Sequence, residues 1–271
     1  MALLAGKKAV ILGAASTDNM GQVTARKFAA EGAEVTVAGR NEGPLKALAE
    51  ELGGHYVICD ITDRASVHAM AKSASEKMGR VDSAINCTGW GLLKSMTEIT
   101  EEELDQIVDL QFKGVHHFLQ AFIEQMMAQS PQGGSLISIS SATTKAHINN
   151  HAAYIGTKTG SEALIRCVAN DYGQYGIKAN TVSPAFTSSP MTEGAFATPG
   201  LVDAFLPRYP LGRLNTSEDV ANACAWLSSD DAYLTGENIQ ANGGLRIRGN
   251  PQAGDIEHHV GAAMAAMQKG E

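Results

Sequence analysis

Tyr154 and Lys158 stand four residues apart, a spacing that puts a phenol and an ammonium on one face of a helix. A free phenol titrates at about 10, and a neighbouring cation favours its ionised form. Such a pair can exchange a proton with a substrate oxygen near neutral pH. Ser141 lies thirteen residues before the tyrosine, just after the apolar run Ser135-Leu-Ile-Ser-Ile-Ser140. A surface Tyr–Lys pair on an amphipathic helix is the bland alternative, and the strand and serine ahead of it weigh against that.

Three weaker signals precede this one. The first is Gly13-Ala14-Ala15-Ser16-Thr17-Asp18-Asn19-Met20-Gly21, a glycine-bearing turn between a strand and a helix. Backbone N–H groups and a helix N-terminus there can face a pyrophosphate, although a tight turn alone would look the same. The second is Asp60, after Val57-Ile58-Cys59, which can accept a hydrogen bond from an adenine amino group or can cap a helix. The third is Asn86-Cys87-Thr88-Gly89 after a fourth strand, on the edge where open α/β sheets bind ligands. Each is ambiguous by itself, but their order along successive strand–helix junctions is hard to produce by chance.

The elements that must position these residues alternate. Short β-branched runs at 8–12, 34–38, 55–59, 81–86, 135–140, 177–183 and near 238–241 read as strands. Helical periodicity fills 21–31, 44–52, 63–78, 101–129, 151–175 and 217–228. Several strands are continuously apolar, as expected for a parallel sheet with helices on both faces. Residues 187–213 lack steady periodicity and read as an excursion with short helices. Residues 250–271 place Ile256, Val260, Met264 and Met267 at helical spacing.

Composition narrows the classes further. The chain has 271 residues, 44% of them hydrophobic, and a formal charge of -8. An acidic surface repels phosphate backbones, so nucleic acid is not expected as a partner. No apolar run approaches the roughly 20 residues needed to span a bilayer, and the first residues lack the pattern of a signal peptide. Cys59, Cys87, Cys167 and Cys224 are scattered, which suits a reducing cytoplasm better than a disulfide framework. The pairs His116-His117 and His258-His259 match no metal-ligand spacing, and no metal is expected.

Over nearly its whole length to about Gly249 the chain resembles the short-chain dehydrogenase/reductase family. The resemblance rests on the Gly13 loop, Asp60, Asn86-Cys-Thr-Gly89, Ser141, Tyr154-x-x-x-Lys158 and Ser183-Pro184, with Pro210 to Val220 and Leu234 to Gly244 also fitting. It implies a single-domain Rossmann-type α/β fold over 1–249, a doubly wound parallel sheet of about seven strands with helices on both faces. It also implies hydride transfer between a nicotinamide cofactor and a carbonyl/alcohol pair. Tyr154 would be the proton donor, Ser141 the carbonyl-orienting hydroxyl and Lys158 the ribose-binding cation. The dinucleotide would be held by Gly13, Ala15, Ser16, Asn19 and Met20, by Arg40, Asp60 and Ile61, by Asn86, Cys87, Thr88 and Gly89, by Tyr154 and Lys158, and by Pro184, Thr187 and Ser189.

The departures are informative. The first glycine loop is two residues longer than the usual pattern, with Asn19 where a glycine is expected. That length resembles the enoyl reductase branch, whereas Tyr-x-x-x-Lys belongs to the carbonyl-reducing branch. Gln111 stands where the family places an asparagine that supports a water-linked proton relay. It falls on the apolar stripe Leu104, Ile107, Val108, Val115, Phe118, Leu119 and Phe122, so it should point inward, as part of a shifted relay or as a paired structural amide.

Specificity is read from two places. Strand two ends in Gly39-Arg40. An acid there would bind both ribose hydroxyls of NAD, whereas glycine leaves space and arginine suits a phosphate, so NADP(H) is expected to be preferred, with NAD(H) possible. Trp90 and the excursion's Phe186, Met191, Phe196, Leu201, Phe205 and Leu206 suggest an apolar, moderate-sized substrate under a lid, with His147 also at the mouth of the site. A cyclic or steroid-like ketone and a 3-ketoacyl thioester are both compatible. Phe112, Met126, Leu164 and Val168 exceed one helical stripe and point to self-association, and the resemblance implies a homotetramer. The tail helix is expected on a neighbouring subunit or over a site.

Overall fold

A computed structural model describes residues 2–190 and 192–269. Seven strands form one parallel sheet: β1 (Lys8–Leu12), β2 (Glu34–Gly39), β3 (His55–Ile58), β4 (Ser83–Asn86), β5 (Gly134–Ile139), β6 (Ile177–Val182) and β7 (Asn238–Ile239). Their order is β3-β2-β1-β4-β5-β6-β7. The chain winds outward from β1 to β3 and then returns to lay β4 beside β1. The loops leaving β1 and β4 diverge at that reversal, which leaves a crevice at the carboxyl edge of the sheet.

Side-chain alternation explains why β1 can be apolar throughout. Val10 and Leu12 face one core with Phe118, Phe122 and Ile165, while Ala9 and Ile11 face the other with Phe28, Leu45 and Val220. Helices α1 (Met20–Ala30), α2 (Glu42–Leu52) and α9 (Ser217–Ser228) cover the second face. Helices α3 (Arg64–Met78), α5 (Gly114–Ala128) and α6 (Ala152–Tyr172) cover the first. Starts are marked in the sequence: Asn19 caps α1, Asp63 caps α3, and Thr216 with Asp219 forms a capping box on α9.

The periodic stretch expected as one helix over 101–129 is α4 (Glu101–Val108), a single π-helical turn at Asp109–Lys113, and α5. The wider turn rotates the residues before it relative to those after it. Leu104 is therefore exposed at 45%, off the stripe assigned to it, while Ile107, Val115, Phe118, Leu119 and Phe122 are buried and Gln111 is 1% exposed. The apolar groups read as pointing to self-association divide between core and surface. Met126 and Val168 are buried in the chain's own core and Leu164 packs partly on it, whereas Phe112, beside Gly160 of α6, remains exposed at 37%.

Residues 187–213 carry two short helices, α7 (Glu193–Phe196) and α8 (Leu201–Phe205), before α9. After β7 come α10 (Leu245–Arg248) and the tail helix α11 (Ala253–Lys269). The tail lies on its own chain's excursion. Asp255 pairs with Arg208 at 2.6 Å, and Gly200, at the start of α8, approaches α11 so closely that a Cβ would lie 2.3 Å from the His259 carbonyl oxygen. The Ala253 amide donates to Asn149 Oδ1 at 3.0 Å and Gln252 Nε2 donates to the His147 carbonyl at 3.3 Å. The tail thus bridges the excursion and the loop that follows Ser141. All four cysteines are free, and among the described residues no helix is long and apolar enough to cross a membrane.

Candidate active site

Three consecutive residues at the end of β5 each meet α6. Ile139 accepts a hydrogen bond from Lys158 Nζ at 2.7 Å through its carbonyl, Ser140 donates its hydroxyl to Glu162 at 2.7 Å, and the Ser141 hydroxyl stands beside the Tyr154 phenol and favours its ionised form. Ser141 Oγ is held by the Thr143 amide at 3.2 Å and the Thr143 hydroxyl at 2.9 Å. The expected serine, tyrosine and lysine are therefore brought together. Lys158 Nζ lies 5.8 Å from the centre of the Tyr154 ring, and the His151 ring stacks on that ring with centroids 4.2 Å apart.

The electrostatics differ from the simple picture of a phenol already acidified by its lysine. Burial raises the Tyr154 pKa above 10, with Ser141 opposing the shift. Burial also lowers Lys158 to about 8, against the influence of Cys87 and Glu162. An ammonium that loses its proton near 8 is no longer a cation when a phenol above 10 titrates. In this state Tyr154 is a protonated donor rather than a phenolate.

The crevice at β1 and β4 is built from the loops the sequence singled out. Gly13 (φ +99°) packs against the Asn86–Gly89 loop, where a Cβ would sit 2.9 Å from the Cys87 carbonyl carbon. A Cβ at Gly21 would lie 2.4 Å from the Gly13 oxygen, so α1 begins closer to the strand end than any other residue allows. Asn19 earns its place as a loop brace: its Oδ1 accepts from the Gln22 amide at 2.9 Å and its Nδ2 donates to the Gly13 carbonyl at 2.8 Å. Ala15 and Met20 are half-buried and Ser16 is exposed on this loop. Asn86 Oδ1 accepts from both the amide and the hydroxyl of Thr88, which fixes the second loop. Asp60 folds onto Thr62, whose amide and hydroxyl favour its ionised form with a smaller contribution from Arg40 at the exposed end of β2, and the helix cap is Asp63. Ile61 is buried beneath this edge. A tight backbone cradle, a helix start and polar groups along one edge fit a dinucleotide.

Gln111 is buried and hydrogen-bonded at both ends of its amide. Its Oε1 accepts from the Trp90 amide at 3.0 Å, its Nε2 donates to Thr157 Oγ1 at 2.9 Å, and its carbonyl accepts from the Ser161 hydroxyl. The amide is thus paired as a structural group would be, and Oε1 also lies next to Gly89, on the side of that residue where Lys158 Nζ approaches. Trp90 is half-buried above it, whereas His147 is exposed and offers its carbonyl to the tail. Phe186 stacks between Phe196 and Phe205, with centroids at 4.4 and 4.5 Å, and Tyr209 donates to its carbonyl. Pro184 accepts from the Ala142 amide, Thr187 donates to the Ala185 carbonyl, and the Ser189 amide donates to Thr192, so this stretch is braced internally. Met191 lies outside the described residues.

Three residues escaped the sequence reading of the site. Gln22 braces the first loop through the Asp18 amide and the Ala14 carbonyl. His151 stacks on the Tyr154 ring, and its Nδ1 is buried without a partner among the described residues. Glu162 is 2% exposed, one turn beyond Lys158 on α6. Only Glu162 carried a signal, since it continues the 154, 158 spacing by four residues.

Known proteins place this arrangement. A family model described as enoyl-(acyl carrier protein) reductase matches residues 13–246. The chain is 32% identical, over 89% of its length and 93% of the relative's, to a hydroxy-methyl-oxo-hexahydroindene-carboxyl-CoA reductase of Mycobacterium tuberculosis. It is 31% identical to a 3-oxoacyl-[acyl-carrier-protein] reductase of Staphylococcus aureus, covering 88% of this chain and 98% of that one. The structure of a short-chain type dehydrogenase/reductase from Mycobacterium ulcerans superposes with a TM-score of 0.87 at 26% identity, over 94% of this chain and 95% of that one. With a seven-stranded parallel sheet, a dinucleotide crevice and a Ser–Tyr–Lys set at its edge, the chain is an NAD(P)-dependent oxidoreductase of the short-chain dehydrogenase/reductase family.

Proposed function

We propose that the chain interconverts a ketone and a secondary alcohol on an apolar, moderate-sized substrate, with NADP(H) preferred. The observation that carries the chemistry is the convergence of Ser141 and Tyr154, with Lys158 anchored behind them on the same helix. The bound dinucleotide would supply or accept the hydride. The side chains handle the oxygen and its proton. Ser141, fixed by Thr143, and Tyr154, held in plane by His151, both face the position of the substrate oxygen. As charge grows on that oxygen the two hydroxyls stabilise it, and Tyr154 releases its proton. Burial keeps the phenol protonated until that demand arises, and the Lys158 ammonium stabilises the phenolate left behind.

The Phe186–Phe196–Phe205 stack and Trp90 favour an apolar ligand. Two relatives named as reductases of acyl thioesters, one of them with a fused-ring acyl group, support a cyclic ketone or a 3-ketoacyl thioester. A relative named D-threitol dehydrogenase, 29% identical, shows that polyol chemistry also occurs among similar chains. The family description and the long first loop favour a second reading, reduction of a C=C bond. Incubation with NADPH and a bicyclic enone separates the two. The carbonyl reading expects the allylic alcohol with its double bond intact, and a saturated ketone as the product would overturn it.

The tail helix holds the lid against the loop after Ser141, so removing residues 250–271 should loosen the substrate cleft. The expected result is a several-fold rise in KM for a bulky ketone, with cofactor affinity unchanged, read by steady-state kinetics and nucleotide titration. Identical kinetics with and without the tail would exclude this role.

A further inference from the structure

Glu162 sits on the same face of α6 as Tyr154 and Lys158, one further turn along, and its carboxylate is buried. Its Oε1 accepts from the Ser140 hydroxyl at 2.7 Å and from Asn238 Nδ2 of β7 at 2.6 Å. Its Oε2 is buried without a hydrogen-bond partner among the described residues and forms a longer ion pair with the Lys145 ammonium at 3.4 Å. Removing a carboxylate from water is costly unless both oxygens are well paired, so an arrangement with one oxygen left short is poor as a purely structural device. Fold stability would be served as well by an apolar side chain of similar size.

We propose that Glu162 is a positioning residue for the reaction: it locks the end of β5 onto α6 so that Ser141 meets Tyr154, and it places a negative charge behind the Lys158 ammonium. The first part follows from the contacts at the end of β5. Ile139, Ser140 and Ser141 meet Lys158, Glu162 and Tyr154 respectively, so the Ser140–Glu162 bond sets the register of the residue that must touch substrate. Asn238 ties the same carboxylate to β7, whose side chain is in turn held by Ser183 at 2.6 Å.

The second part follows from the surroundings of Lys158. Its direct hydrogen bond goes to a neutral carbonyl, that of Ile139. The titratable groups acting on it are Tyr154 on its own helix, Cys87 from the loop after β4, and Glu162. Burial pushes the Cys87 thiol up to about 12, so it is neutral in the working range. Glu162 is left as the anion that helps a buried lysine keep its proton, and Lys145, half in solvent, is the cation on its far side.

The inference rests on Ser141, Tyr154 and Lys158 being the reacting set, and the experiment keeps the two apart. Glu162→Gln preserves shape and removes the charge. Ser140→Ala removes the anchoring hydroxyl and keeps the charge. Each is assayed with NADPH and a bicyclic ketone over a range of pH, alongside NADPH titration and thermal melting. Glu162→Gln should lose about tenfold or more in kcat, with KM and NADPH affinity close to wild type. Lys158 is active when protonated, and that form is lost as pH rises through its pKa. Removing the anion lowers the pKa, so the alkaline limb of the kcat profile should move to lower pH. Ser140→Ala should lose kcat with the limb unmoved. Wild-type kcat and an unmoved limb in Glu162→Gln would overturn the proposal, as would losses that only follow thermal stability. If Glu162→Gln does not fold, wild-type kcat in Ser140→Ala overturns it by itself. Tyr154→Phe is the control: an active Tyr154→Phe sinks the underlying reading, whereas an inert one beside a normal Glu162→Gln sinks only the positioning role.

Discussion

Tyr154→Phe should lower turnover about a thousandfold or more while leaving dinucleotide affinity and thermal stability nearly unchanged. General acid catalysis and a hydrogen bond to the developing oxyanion are each worth roughly two to three decades, and the phenol supplies both. The remaining ring keeps its packing, because His151 stacks on the ring face at 4.2 Å rather than bonding to the hydroxyl. The Lys158 anchor to Ile139 is also independent of the phenol oxygen. Loss should therefore appear in kcat. The check is steady-state kinetics beside fluorescence titration of NADPH. Turnover within tenfold of wild type would remove Tyr154 from the chemistry, and a parallel loss of nucleotide binding would mean that the substitution had disturbed the crevice instead.

The sheet and the place of this tyrosine were legible because each depends on a short-range rule. Strands covered on both faces must be apolar throughout, as β1 is, and a four-residue spacing must share a helix face. Gln111 could be assigned an inward direction from periodicity, and it is buried. The π turn carrying it could not be read so simply. It widens a single turn, and the patterns on either side each remain helical, so Leu104 was assigned to a stripe it does not join. Met126 and Val168 were read as surplus apolar groups because helix geometry says nothing about how much of a helix its neighbours wrap.

Inside the site, spacing gave positions but not partners. That Lys158 would bond the Ile139 carbonyl depends on a tertiary distance between β5 and α6. The same is true of Asn19, whose amide replaces an expected glycine and braces the loop through Gly13. Glu162 lay in plain view on the helix face of Tyr154 and Lys158, yet a glutamate is so seldom buried that its type argued for solvent. The tail is the reverse case: its helical spacing was visible, and only the fold shows that it packs on the chain's own 187–213 excursion.

Arg40→Ala should weaken NADPH by about one to two decades and NADH far less, since a charge-assisted contact contributes roughly 1.5–3 kcal/mol. The end of β2 explains why the arginine rather than an acid marks this edge. A Cβ at Gly39 would lie 2.6 Å from the Ala15 methyl, so a ribose-binding carboxylate cannot be accommodated there without displacing the first loop. Asn41 strengthens that closeness by donating to the Ala15 carbonyl at 3.3 Å. Arg26, whose guanidinium also reaches this loop, is occupied by Glu51 at 2.7 Å and Asp18 at 3.1 Å. Arg40, exposed at the end of β2, is better placed to meet a 2′-phosphate, and its planar fork suits one. Separate titrations of the variant with NADPH and NADH, repeated at raised salt, give the decisive comparison. A selective loss for NADPH that narrows with salt is the expected result. Equal losses for both nucleotides would show that Arg40 does not read the phosphate.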